Sequence, residues 1–261
     1  MPAMPIFKEH AAGTFNWIEV GTSDQNAAKT FYTSLFGWTA KDFPMGPESS
    51  YTTFLREGRT VAAAYTLSKM EQERHVPPHW NLYVAAESAD AIAARAAEMG
   101  GTVLAPPFDV LEFGRMTVIQ DPTGAVIAAW QAKSHIGVSV RDEFGSLCWS
   151  DLNTSDTAKA AQFYSGLFGW VLDDSPDGYM HIKNGSNHIG GIGPLHDPNS
   201  PPHWLVYFWV ADCDAATAKA KELGARAHVE PFSMEKVGRI AVLADPQGSV
   251  FALYQSAPSA K

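Results

Sequence analysis

The 261-residue chain has two cysteines, Cys148 and Cys213, and no metal-type cysteine spacing. Two isolated thiols imply a reducing compartment and free sulfurs rather than a disulfide framework. Positive charge is also scarce, with 19 Lys and Arg against 28 Asp and Glu and a net charge of −9. No Lys/Arg cluster offers a basic face to a phosphate backbone, which argues against nucleic acid and anionic membranes as partners. No apolar run approaches the roughly 20 residues that cross a bilayer. Met1-Pro2-Ala3-Met4-Pro5 lacks the basic-then-apolar pattern of a secretory signal, so a cytoplasmic location is expected.

What the chain does have is an internal repeat. Phe31-Tyr32-Thr33-Ser34-Leu35-Phe36-Gly37-Trp38 returns 132 residues later as Phe163-Tyr164-Ser165-Gly166-Leu167-Phe168-Gly169-Trp170. Pro77-Pro78-His79-Trp80, Gly114-Arg115 and Asp121-Pro122-Thr123-Gly124 return after 124 residues as Pro201-Pro202-His203-Trp204, Gly238-Arg239 and Asp245-Pro246-Gln247-Gly248. Landmarks recurring in one order at near-constant offset define two copies of one module. The offsets place a net eight-residue deletion in the second copy, between Trp170 and His203. The expected modules span 10–133 and 142–257, each large enough for its own core.

Each copy opens on a strand, Phe15 to Val20 and Leu147 to Leu152. A helix follows, capped near Asp24 or Asp156 and stopped by Gly37 or Gly169. At helical spacing the Phe-Tyr and Phe-Gly-Trp aromatics read as a core face rather than a cofactor box. Short strands and a loop lead to Pro-Pro-His-Trp, after which strand, helix, strand, strand recur. Asp-Pro-x-Gly supplies the last turn, with proline fixing φ and glycine free to make it positive.

The result is an α+β chain in which each module is a tandem of two βαβββ units. This order, with Phe-Tyr…Leu-Phe-Gly-Trp on the first helix and Asp-Pro-x-Gly before the last strand, resembles the vicinal oxygen chelate superfamily. Glyoxalase I, bleomycin-resistance proteins and extradiol dioxygenases belong to it. The resemblance covers almost the whole chain and implies two U-shaped mixed sheets with flanking helices, enclosing ligand cavities on their concave faces.

Enzymes of that superfamily hold a divalent cation with His, Gln or Glu side chains. Carried over one by one, the ligand positions fall on Phe15 and Leu147, near Ala63 and Gly191, on Asn81 and Leu205, and on Ala128 and Ala252. Phe, Leu, Ala and Gly offer no donor atom. The expectation is therefore no metal and no cofactor, which disfavours chemistry that requires the cation. A rebuilt site of His181 or His188 with Asp151 is conceivable. The simpler reading leaves those two on the surface and His79 and His203 as loop anchors.

Strand alternation sets Phe15, Trp17 and Glu19 on one face and Leu147, Trp149 and Asp151 on its match. Taken as concave, that face holds a carboxylate pair, Glu19 and Asp151, among aromatics. Tyr83, Tyr207, Trp130, Tyr254 and Trp209 are expected to extend the wall, and Arg115 and Arg239 to complete the ligand-binding set. Glu19 and Asp151 could act as general bases, pair with a ligand cation, or be held structurally by backbone or by Arg115 and Arg239. The leading expectation is a protein binding a hydrophobic or aromatic small molecule. The alternative is an enzyme, a lyase, isomerase or hydroxylase-like one, with a non-standard metal site or an acidic base. A purely scaffolding role has no surface feature to support it. One chain holds both modules, so monomer and homodimer are both open.

Overall fold

The computed structural model describes residues 7–46, 50–175 and 178–257. The opening strand β1 (Phe15–Thr22) leads into α1 (Gln25–Phe36), capped by the Asp24 carboxylate on the Ala27 amide and ended by Gly37 at φ 70°. Strands β2 (Thr39–Pro44), β3 (Ser50–Arg56) and β4 (Arg59–Thr66) follow, then the short α2 (Lys69–Glu73). The second unit is β5 (His79–Ala85), α3 (Ala89–Glu98), β6 (Thr102–Val110), β7 (Gly114–Gln120) and β8 (Val126–Ala132).

The second copy repeats this as β9 (Leu147–Thr154), α4 (Thr157–Phe168), β10 (Val171–Asp174), β11 (Met180–Asn184), β12 (Asn187–Pro194), β13 (His203–Trp209), α5 (Cys213–Glu222), β14 (Arg226–Met234), β15 (Gly238–Ala244) and β16 (Val250–Ser256). It lacks a counterpart of α2, because residues 195–202 form only turns. Among the described residues no helix is long and apolar enough to cross a membrane.

Each copy forms one mixed eight-stranded sheet, ordered β2-β3-β4-β1-β5-β8-β7-β6 and β10-β11-β12-β9-β13-β16-β15-β14. The four-stranded halves join where β1 pairs antiparallel with β5, and β9 with β13. The repeated motifs hold the copies together. Tyr32 is fully buried, accepts from Trp80 Nε1 at 3.0 Å and donates to Asp245 of the other copy at 2.9 Å. Tyr164 repeats this, accepting from Trp204 Nε1 at 3.0 Å and facing Asp121. Trp38 Nε1 donates to the Gly145 carbonyl and Trp170 Nε1 to that of Gly13, both at 2.7 Å. Phe15 meets Trp170 and Trp204 edge-on, and Phe31 meets Phe251. The Phe-Tyr and Phe-Gly-Trp aromatics are thus core, one continuous apolar body shared by both copies. Burying this much aromatic surface drives the association.

Candidate functional site

The face of each sheet turned away from the shared core carries the candidate groups. One local irregularity decides which side chains reach it. Phe15 pairs with Val84 and Trp17 with Tyr83, so Asn16 is an extra residue in β1. In β9 the extra residue is Cys148, between Leu147 opposite Phe208 and Trp149 opposite Tyr207. A bulge of this kind shifts the side-chain alternation by one. Phe15 and Leu147 therefore lie in the shared core, not beside Trp17, Glu19, Trp149 and Asp151 as strict alternation predicts.

In the first copy Glu19 is 9% exposed and gripped from two strands. Tyr51 of β3 donates to Oε2 at 2.6 Å and Tyr83 of β5 to Oε1 at 2.5 Å. Trp17 Nε1 donates to the Tyr51 hydroxyl at 3.2 Å. Burial pushes the Glu19 carboxyl above the usual carboxylate range, and the phenols and indole pull it partly back. Burial, and after it the same carboxylate, push both tyrosines well above the ordinary phenol value. Beside it, Asn81 donates to the Tyr65 hydroxyl at 3.0 Å, and Tyr65 donates to Glu71 of α2 at 3.0 Å.

The second copy repeats the grip with a shorter acid. Tyr179 donates to Asp151 Oδ1 at 2.6 Å, Trp149 Nε1 reaches the same oxygen at 2.8 Å, and Tyr207 also donates to the carboxylate. Burial again raises the acid, against those three donors. Tyr179 lies so close to β12 that a Cβ at Gly191 would sit 1.7 Å from its hydroxyl, so the glycine makes room for the clamp. Tyr51 and Tyr179, absent from the sequence-derived set, complete both clusters.

The two faces differ in what covers them. Residues 133–142, leaving β8, cross the first face. Val138 donates to the Asn16 carbonyl at 2.7 Å, and Asn16 Nδ2 to the Ile136 carbonyl at 3.1 Å. Gly137, at φ 110°, passes so near that a Cβ would meet the Asn16 carbonyl oxygen at 2.0 Å. The His135 ring stands edge-on to Trp17 at 4.6 Å and to Trp130 at 5.9 Å, while its carbonyl accepts from Trp130 Nε1 at 2.7 Å. Val138 is fully buried with Trp17, Ala63, Tyr83, Ala128 and Trp130. No described segment crosses the second face, where Trp149, Asp151, Tyr207, Trp209 and Tyr254 are all partly exposed.

Other expected residues lie elsewhere. Arg115 and Arg239 do not reach the carboxylates: their guanidinium groups grip Asp90 at 2.7 Å and Asp214 at 2.5 Å on the first turns of α3 and α5. That corrects their inclusion, since β7 and β15 turn these side chains away from the acids. Tyr254 pairs with Trp209 across the strands and donates to the Val237 carbonyl at 2.9 Å. His79 and His203 donate from Nδ1 to the Pro77 and Pro201 carbonyls, as loop anchors would. His181 packs edge-on against Tyr179 at 5.0 Å, and His188 reaches Asp173 at 3.3 Å.

A divalent cation does not fit these residues. On the first face Ala63, in register with Glu19, and Ala128, in register with Tyr83, carry no donor, and both Glu19 oxygens already accept phenolic protons. Gly191 and Ala252 repeat the deficit beside Asp151 and Tyr207. Among the described residues no three His, Cys, Asp or Glu side chains converge as a cation would need. Two open cavities lie apart from both acids. One of about 120 Å³ is lined by His10, Asn16, Glu87 and Trp130, and one of about 390 Å³ by Phe36, Arg56, Phe144 and Val210.

Comparison with known proteins follows this geometry. The sequence profile of the Glyoxalase/Bleomycin resistance protein/Dioxygenase superfamily matches residues 14–129 and again 135–253. The chain is 40% identical to "Putative glyoxylase CFP32" of Mycobacterium tuberculosis over 260 residues, 98% of this chain and 99% of that protein. It is 35% identical to the anthracycline biosynthesis protein DauV of a Streptomyces species, covering 94% of each. Among solved structures it resembles the Mn(II)-bound glyoxalase from Novosphingobium aromaticivorans (TM-score 0.66, 15% identity, 94% of this chain and 82% of that one). The 2,3-dioxygenase LapB from Pseudomonas is similar in fold (TM-score 0.65, 13% identity, 98% and 94%). With its family profile met twice and a relative matched end to end, the chain belongs to the Glyoxalase/Bleomycin resistance protein/Dioxygenase superfamily.

Proposed function

We propose that the protein binds a hydrophobic or aromatic small molecule on its tyrosine-clamped face. The observation that carries this reading is the repeated cluster of one carboxylate, two phenols and an indole set in an apolar wall. Few polar groups converging within aromatic surroundings are the usual form of a small-molecule site. The relatives' names point to small-molecule chemistry, one to a glyoxylase and one to anthracycline biosynthesis. A cation-dependent glyoxalase reaction is disfavoured by the donor set. Titration with a panel of planar aromatic compounds, followed by tryptophan emission, should give saturable quenching. No saturation with any member overturns the reading.

A second reading is acid–base catalysis by Asp151. Its raised carboxyl, reachable from solvent, suits a general base working nearer neutral pH than an ordinary aspartate. Asp151→Asn keeps the shape and removes the base. A turnover that survives this change with undiminished kcat excludes the reading.

A further inference from the structure

We propose that the second module alone takes the ligand, and that His135–Val138 of the connecting segment permanently fills the equivalent place in the first. This rests on the aromatic-ligand reading above and adds which face serves and what the ligand must carry.

The connecting segment behaves as a built-in occupant. It lays an imidazole edge-on to Trp17 and Trp130, buries an isopropyl group in the cluster that holds Ala63 and Ala128, and gives a carbonyl to the Trp130 indole. Main-chain bonds to the Asn16 and Thr60 carbonyls, the latter from Ser139 at 2.8 Å, fasten it there. At the matched positions the second face offers Trp149 for Trp17, Tyr254 for Trp130, Gly191 for Ala63 and Ala252 for Ala128; the Tyr179 ring closes over Gly191, Trp149 and Tyr254 stay partly exposed, and no described segment takes the place of His135–Val138. Cys148 replaces Asn16, so the side-chain amide that ties the segment down is missing. One indole has moved to the neighbouring strand of the same register pair: Trp209 stands beside Tyr254 where Ala85 stands beside Trp130. The Trp209 N–H is buried without an acceptor among the described residues, whereas Trp130 has the His135 carbonyl. A buried donor lacking an acceptor favours a ligand that supplies one. The occupant's chemistry thus gives the ligand class: a compact planar ring bearing a carbonyl.

The test uses the full chain with 7-methoxycoumarin, a neutral planar lactone, and 2-methoxynaphthalene as a ring of similar size without the carbonyl. Calorimetry should give one coumarin per chain and about tenfold weaker binding of the naphthalene, the loss of one hydrogen bond. In protein labelled with 5-fluorotryptophan, the ¹⁹F resonances of Trp149 and Trp209 should move on coumarin addition while those of Trp17 and Trp130 stay. Trp209→Phe should abolish the preference for the carbonyl compound. The double variant His135→Gly/Val138→Gly should raise the stoichiometry from one to two. If it fails to fold, the ¹⁹F pattern of the unaltered chain decides. Movement of Trp17 and Trp130, or two molecules bound by the unaltered chain, overturns the inference and leaves the aromatic-ligand reading standing. Absence of saturable coumarin binding, with binding of another aromatic compound, overturns the carbonyl requirement. Absence of binding by every aromatic compound overturns both.

Discussion

The two modules solve the same problem of a carboxylate in an apolar sheet with different degrees of closure. Glu19 sits beneath its own chain, in a cluster where Trp17 is 4% and Trp130 7% exposed. Asp151 has the same phenols and indole but stands partly open. Divergence between the copies lies less in the clamp than in what surrounds it: a longer acid, a second polar chain through Asn81, Tyr65 and Glu71, and, among the described residues, a covering segment on the first face only. Closure turns a clamp into core, and openness leaves it available to a ligand.

The sharpest way to break this comparison is to remove the matched indoles. Trp17→Ala should cost about 3–5 kcal/mol, as deletion of a buried aromatic does, and Trp149→Ala roughly half of that because part of its surface is already wet. Urea denaturation of both variants measures the gap; equal losses would mean that the covering segment adds nothing to the first face.

Removing one phenol from each acid has a smaller effect. Tyr51→Phe should cost about 1.5–3 kcal/mol, the range for a hydrogen bond to a charged group, and Tyr179→Phe less, since water can reach Asp151. Both should raise the neighbouring carboxyl further, as seen by ¹³C titration of the side chain.

The acids also differ with pH. Burial makes folded Glu19 hold its proton more tightly than the unfolded chain does. Stability from this group is therefore full below the ordinary carboxylate range and is lost as pH rises through the raised folded value. Glu19→Gln cannot titrate, so its stability relative to the unaltered protein should improve as pH climbs from about 4 and level off above that value. Asp151→Asn should show the same sign with smaller amplitude. An opposite slope would mean that the phenols outweigh burial.

The least effect is expected from Arg115→Ala and Arg239→Ala. Both ion pairs face solvent, where such contacts contribute little. Unfolding midpoints and coumarin affinity should both stay within experimental scatter.

Much of the architecture was legible because its landmarks are local. Caps at Asp24 and Asp156, stops at Gly37 and Gly169, and the Asp-Pro-x-Gly turns announce themselves through backbone chemistry. Trp17 with Glu19, and Trp149 with Asp151, were readable as same-face pairs on one strand. Phe15 and Leu147 were not, because an extra residue reverses the alternation and nothing in the residue types marks it. Tyr51 and Tyr179 escaped notice because they come from another strand, inside the stretch where the repeat offset changes. The available signal was that each stands at the start of the strand that follows β2 or β10. Arg115 had two acids it could satisfy, and spacing cannot choose between Glu19 and Asp90. The covering segment carries none of the repeated landmarks, so a search for repeats passes over it.

The Tyr32–Asp245 and Tyr164–Asp121 contacts have a consequence for how such a chain arises. Each copy's helix tyrosine is completed by an aspartate from its twin, so a single module would expose an aromatic surface and leave a phenol and a carboxylate unmatched. A lone ancestor with this sequence pattern would have needed a second molecule of itself. Within one chain that encounter is an intramolecular event at high effective concentration. Once the pairing was guaranteed by the peptide bond, the twins were free to specialise.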